Sequence, residues 1–253
     1  MEQRIELTAS PDPVSWQFQA REASVLAPSG GGFPIELLLD DGTAEGDFGV
    51  GDGVNARQFL WFNQFDLTGL GPVDLDEIQV FFPTGPNMAA GNAIQLAIYH
   101  DPDSDPTNGA DLLSAFDGTI QSVDGTSFSS YPLAMPLSLP EEGSLLVGVV
   151  NRFVESGVTS ATRPAALDTT ASQGRSWLAV WIDDPPALPE LPSNSVLALV
   201  DDFAPGNWTI RAFGSPTPEI VIDTVEVPTL QPLGLGLLIL LLAGFGMSRL
   251  RRG

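Results

Sequence analysis

Residues 93–111 read AIQLAIYHDPDSDPTNGAD. Ile94, Leu96 and Ile98 alternate with Gln95, Ala97 and Tyr99, the period-two pattern of a strand with one face turned to a core. From His100 the alternation gives way to Asp, Pro, Ser and Asn, the residues of a turn. The same unit, a short alternating run followed by turn residues, recurs along the chain. Ile78, Val80 and Phe82 alternate with their neighbours, and so do Trp208, Ile210 and Ala212 with Thr209 and Arg211.

Candidate strands fall at 35–39, 57–65, 77–82, 93–99, 118–123, 144–150, 175–181, 196–200 and 207–213. Gly and Pro, 26 and 22 of 253 residues, favour many turns over long helices. No βα alternation is seen, so a doubly wound parallel sheet is excluded. The pattern predicts an all-β protein, an antiparallel jelly-roll-like β-sandwich, followed by a single C-terminal transmembrane helix. Trp61, Trp177, Trp181 and Trp208 read as core packing in preference to a ligand platform.

Charge is distributed unevenly. All ten cations are Arg, against 32 acids. Residues 1–226 hold seven of those Arg and every acid, a net −25, whereas the last five residues hold Arg249, Arg251 and Arg252. A body of that sign repels phosphate backbones, which excludes nucleic acid as a partner, and it suits a saline setting. Cys is absent, so disulfides, thiolate nucleophiles and thiolate metal sites are excluded together. His100 is the lone histidine and no Gly-x-Ser-x-Gly elbow occurs, leaving little for nucleophilic or multi-histidine metal chemistry. The expectation is a non-enzyme, although 32 acids make chance carboxylate pairs unavoidable.

The loop after the opening strand is the most site-like. Asp101, Asp103 and Asp105 stand at alternate positions, with Asn108 and Asp111 beyond them. Carboxylates so spaced can wrap calcium, which takes six to eight oxygen ligands. The EF-hand pattern is not met, since Pro106 occupies its Gly position and Leu112 its bidentate Glu position. The competing reading is a proline-stiffened acidic hairpin facing water. A second acidic stretch, DDGTAEGDFGVGDG from residue 40, carries Asp40, Asp41, Glu45, Asp47 and Asp52 and reads as a turn-rich connection. The Asn207-Trp208-Thr209 sequon falls in an expected core strand and reads as coincidental.

The C-terminus reads VPTLQPLGLGLLILLLAGFGMSRLRRG, residues 227–253. Residues 233–247 carry no charge, and extension from Leu230 to Leu250 gives about 31 Å of helix at 1.5 Å per residue. With Asp223 and Glu226 flanking the span on its N-terminal side and Arg only on its C-terminal flank, the positive-inside rule puts the body outside and the C-terminus in the cytoplasm.

Val227-Pro228-Thr229-Leu230, two residues, Leu233-Gly234, an apolar span and Arg249, Arg251 and Arg252 together resemble the IPTL type of C-terminal protein-sorting signal, a relative of the PEP C-terminal signals of Gram-negative bacteria. Val227 stands where that pattern has Ile, and Leu233 where it has Trp. The resemblance implies an exosortase-type processing enzyme as partner, insertion in the inner membrane, and a final location at the cell surface or outside it. Pro228 keeps the motif extended and Gly234 and Gly236 loosen the first helical turns, which suits a protease. LLDDGTAEGDFG (38–49), FLWFNQF (59–65) and GNWTIRAFG (206–214) are similar to pieces of jelly-roll modules appended to secreted bacterial proteins, some exported peptidases among them.

The expected organisation is an N-terminal segment (1–33), either an edge strand or the remnant of an upstream region, then a β-sandwich ectodomain (34–214). A Pro-rich stalk (215–226) and the sorting signal (227–253), with its span at 233–248, complete it. Residues 1–20 lack a basic start and an apolar run, so a sorting tail implies an export signal upstream of Met1. The leading expectation is a non-catalytic exported surface protein. The alternative is a carbohydrate- or matrix-binding accessory module of a larger secreted enzyme such as a peptidase.

Overall fold

The computed structural model describes residues 2–5, 14–26, 33–52, 55–181, 184–191 and 195–218. In chain order the strands are β1 (Glu2–Ile5), β2 (Val14–Val25), β3 (Ile35–Leu37), β4 (Thr43–Asp52), β5 (Asn55–Ala56), β6 (Leu60–Asp66), β7 (Val73–Phe81) and β8 (Ala93–Asp101). They continue as β9 (Asp111–Thr119), β10 (Phe128–Ser138), β11 (Ser144–Asn151), β12 (Ala165–Asp168), β13 (Ser176–Trp181), β14 (Ser195–Leu199), β15 (Asn207–Trp208) and β16 (Ile210–Pro216). Helix among the described residues is limited to three short 3-10 turns, and none of it is long and apolar enough to cross a membrane. The span expected at 233–248 lies outside the described residues.

The strands form three antiparallel sheets. One is six-stranded, in the order β14-β13-β6-β11-β8-β9. A second runs β1-β2-β4-β12-β15 with β5 on the end of β4, and a third runs β10-β7-β16-β3. One large core joins all three. The six-stranded sheet supplies Trp61, Phe65, Leu96, Ile98, Val147, Val149 and Leu178; Phe48, Val50, Leu167 and Trp208 enter from the second sheet and Ile78, Val80 and Ile210 from the third. The fold is thus all-β, with the six-stranded sheet as one layer and the other two side by side across the core, as in a sandwich.

The chain passes between the second and third sheets at Trp208-Thr209-Ile210, where β15 ends and β16 begins. Thr209 N–H donates to the Ala166 carbonyl of one sheet, while its own carbonyl accepts from Phe81 N–H of the other. Beneath this crossing lies Asn63, fully buried on β6. Its amide donates to the carbonyls of Trp208 (2.8 Å) and Ile210 (2.9 Å), and its oxygen accepts from the Ser176 hydroxyl (2.7 Å). That hydroxyl in turn accepts from Trp208 N–H at 3.0 Å. A short polar network therefore satisfies the backbone where regular pairing changes sheets.

Three sequence expectations are corrected here. The stretch Thr43–Asp52, read as a turn-rich connection, is the strand between β2 and β12. Its glycines are there for close approach: a Cβ on Gly46 would lie 2.6 Å from the Phe18 ring, and one on Gly49 only 2.0 Å from the Thr162 carbonyl. The strand expected at 118–123 is instead β9, which begins at Asp111 and carries a register shift against Ile98–Tyr99 that hid its alternation. β10 was not expected at all, because Pro132 and Pro136 interrupt it; both are tolerated on a strand that edges its sheet.

Candidate functional site

β8 separates two environments. Ile94, Leu96 and Ile98 face the large core, whereas Ala97 and Tyr99 face a second cluster on the outer side of the six-stranded sheet, with Leu60, Phe62, Leu146 and Trp181. Asp101 continues the outward row beyond Tyr99 and pairs across to Ser144 on β11. It is fully buried, at 0% exposure, and neither carboxylate oxygen completes a hydrogen bond of good geometry, although the N–H groups of Asp103 and Asp105 point toward it. Burial pushes its pKa up to about 6, and the like-charged Asp103 beside it pushes in the same direction.

The 102–108 turn wraps this carboxylate. Asp103 accepts from Asn108 Nδ2 (2.7 Å) and Asp105 N–H (3.2 Å), and the Asn108 contact leads in holding its pKa below the ordinary range. Ser104 takes a left-handed φ of 61° and accepts from the Ser144 hydroxyl at 2.7 Å. Gln64 donates to the Ser104 carbonyl and accepts from Trp177 Nε1, extending the polar network into β6 and β13. Gly143 lies close against the turn: its φ is 81°, and a Cβ there would stand 2.4 Å from the Asp101 carbonyl oxygen.

The five expected calcium ligands therefore do not behave alike. Asp101, Asp103 and Asn108 come together. Asp105 caps the 3-10 turn Pro106–Asn108, accepting from Thr107 N–H and hydroxyl. Asp111 pairs with His100 while its neighbour Leu112 packs on the outer cluster, so period two sends Asp111 to the face opposite Asp101. Among the described residues, no three His, Cys, Asp or Glu side chains form a metal-holding group. His100 itself is hydrogen-bonded through Nε2 to the Glu142 carbonyl at 2.9 Å.

The second acidic stretch is used structurally. Asp40 forms a buried, two-contact ion pair with Arg211, whose guanidinium also lies 4.2 Å over the Phe128 ring. Asp47 sits between Arg21 and Arg163, and Glu45 accepts from Thr169 N–H at 2.8 Å. Burial still pushes the Asp47 and Asp168 carboxyls up. Asn207 of the sequon is fully buried, with its oxygen accepting from Gln173 N–H and its amide donating to the Ala171 carbonyl.

Sequence reading missed a second feature. Residues 184–191 lie across the outer face of the six-stranded sheet as a proline-rich strap. Arg152 donates to the carbonyls of Pro185 (2.6 Å) and Pro186 (2.5 Å), Gln95 to that of Ala187, and Tyr99 Oη to that of Pro189. A cleft of about 540 Å3 opens beside the strap, lined by Gln58, Gln95, Phe116, Asp117, Arg152 and Glu155 among others. The available signal was scarcity: with seven Arg before residue 227, each one is expected to hold something in place.

The sorting-signal residues Val227, Pro228, Thr229, Leu230, Leu233, Gly234, Arg249, Arg251 and Arg252 lie outside the described residues. No protein-family model and no curated protein matches the chain. Among solved structures, the cysteine protease and lectin-like domains of Cwp84, a surface-layer-associated protein of Clostridium difficile, are similar with a TM-score of 0.48. Identity there is 15% over 75% of this chain and 37% of that one. The same clostridial cysteine protease after propeptide cleavage gives a TM-score of 0.42 and 17% identity, over 65% of this chain and 37% of the other. This chain thus spans little more than a third of the length of either.

Proposed function

We propose that this chain is a non-catalytic exported protein: a jelly-roll-type ectodomain brought to a bacterial surface by its C-terminal signal and there anchored or released. The observation that carries the reading is the order of features in residues 227–253. A Pro-containing motif is followed by an uncharged apolar span, and the cations of this stretch come last. A body of −25 stays on the outer side of the inner membrane, three Arg hold the cytoplasmic end, and an exosortase-type enzyme acts at Val227–Gly234. The all-β body supports this: Asp40 is paired with Arg211, Asp105 caps a 3-10 turn, and the histidine is bound to a main-chain carbonyl.

Mass spectrometry of the C-terminus of protein isolated from its native host tests the proposal. The expected mature chain ends within or just after residues 227–234. Recovery of mature protein that retains Arg249–Arg252 overturns it.

The cleft beside the strap favours a second reading, an accessory module that binds a glycan or matrix polymer. Side-chain amides, carboxylates, a buried Arg and the Phe116 ring are the groups that recognise polyhydroxylated ligands, through paired hydrogen bonds and an apolar face. A glycan array probed with the chain, and with Asp117→Ala and Phe116→Ala variants, separates the two readings. Saturable binding lost in the variants supports recognition, and a blank array supports display alone.

A further inference from the structure

The corner where β8 meets the 102–108 turn holds a fully buried carboxylate without a hydrogen bond of good geometry. Buried ionised groups are ordinarily paired or metal-bound, because an uncompensated one costs several kcal/mol. Asp101 has no cation beside it and completes no hydrogen bond of good geometry; only the N–H groups of Asp103 and Asp105 point toward it, and its nearest charged neighbour, Asp103, is also an acid. Like charges brought together by a tight turn, against a polar wall of Gln64, Ser104 and Ser144, present a cluster of hard oxygen donors that a cation would neutralise.

The geometry points to a calcium site built on Asp101, with Asp103 as second carboxylate and the Asn108 side chain, the serine hydroxyls and water as neutral oxygen donors. Asn108 serves by turning its amide, so that Oδ1 replaces the Nδ2 now directed at Asp103; the two orientations are close to isosteric. Asp105 stays out of the shell as the cap of the 3-10 turn, and Asp111 stays on the other face. Hard oxygen donors without imidazole or thiolate select against zinc and copper, and an irregular turn suits the flexible shell of calcium better than the strict octahedron of magnesium. Two carboxylates, not three or four, place the affinity at ~0.1–1 mM, the range of extracellular calcium modules. The site does not depend on how the chain reaches a surface.

Calcium titration of the full chain, read by calorimetry and by thermal unfolding at pH 7.5 in moderate salt, tests this. The expected result is saturable one-site binding with a rise in Tm of several degrees, absent with magnesium. Asp101→Asn abolishes it, and Asp103→Asn weakens it at least tenfold. A magnesium response equal to that of calcium overturns the site, as does an unchanged midpoint in Asp101→Asn. So does an Asp101→Asn protein that is more stable than wild type in EDTA and blind to calcium when the wild type is blind too, since the carboxyl is then a shared-proton pair with Asp103. Should Asp101→Asn fail to fold, the exposed Asp103→Asn variant decides: an unaltered calcium midpoint there refutes the proposal.

Discussion

Asn63 shows how much one buried side chain can organise. It meets two carbonyls and one hydroxyl at the point where the chain changes sheets, and all its partners are shielded from water. Asn63→Leu keeps the volume but leaves those groups without partners, at 1–3 kcal/mol for each group left unsatisfied. The expected loss is about 3 kcal/mol, seen as a Tm lower by roughly 10 °C in calorimetry. A loss below 1 kcal/mol would mean that water enters the crossing. Asp101 gives the second prediction at this scale. Its folded pKa, about 6, lies above the ordinary 3.8, so the folded state binds a proton more tightly than the unfolded chain between those values. Stability in EDTA therefore rises as pH falls from 7 towards 4.5. Asp47 and Asp168, also raised by burial, act in the same direction. Asp101→Asn should flatten the Asp101 share of that rise, measured as the slope of Tm against pH.

Among the elements, the strap is tied down mainly by side chains. Arg152 binds two consecutive proline carbonyls, with Gln95 and Tyr99 fixing the next turns, and Leu191 closes over the apolar outer cluster. Proline supplies no N–H, so residues 185, 186 and 189 cannot add a strand and the sheet face is covered by a ribbon held through its carbonyls. Arg152→Met removes the charged donors and should raise the rate of proteolysis within 184–191 several-fold, with cleavage near the exposed Leu188. Arg152→Lys should restore little, because one ammonium cannot match a guanidinium donating to two carbonyls along its plane. Unchanged cleavage in Arg152→Met would show that the strap is held by apolar packing alone.

For the whole molecule, charge outweighs any single contact. Residues 1–226 carry −25, and the described Arg–Asp pairs recover only part of the self-repulsion. The protein should gain stability with NaCl up to about 1 M as the Debye length falls to about 3 Å, with Tm rising monotonically. A Tm that fell with salt would mean that the ion pairs outweigh the repulsion. The same charge sets the topology proposed above, because the acids and the terminal Arg lie on opposite sides of the apolar span.

Fold class was legible because it depends on period. The run 93–99 alternates and 144–150 is a short continuous apolar run, and they became β8 and β11, neighbours inside the same six-stranded sheet. β4 and β10 were not legible. Glycine and proline have the same local meaning in a turn as in a strand that meets a neighbour closely or lies at an edge, and only the neighbour tells them apart. The acidic loop was visible as a cluster, but not its membership. That Asp101 is buried and Asp111 faces the other way follows from the cross-strand register, which a one-residue shift on β9 alters and which local sequence does not encode. Sequence by itself thus determined the strand-rich architecture, the acidic body and the polarity of the tail, because these are sums over local composition. The tertiary structure alone decided which carboxylate lost its water and which carbonyls the arginines and Asn63 satisfy, because burial is a property of what the rest of the chain places on top.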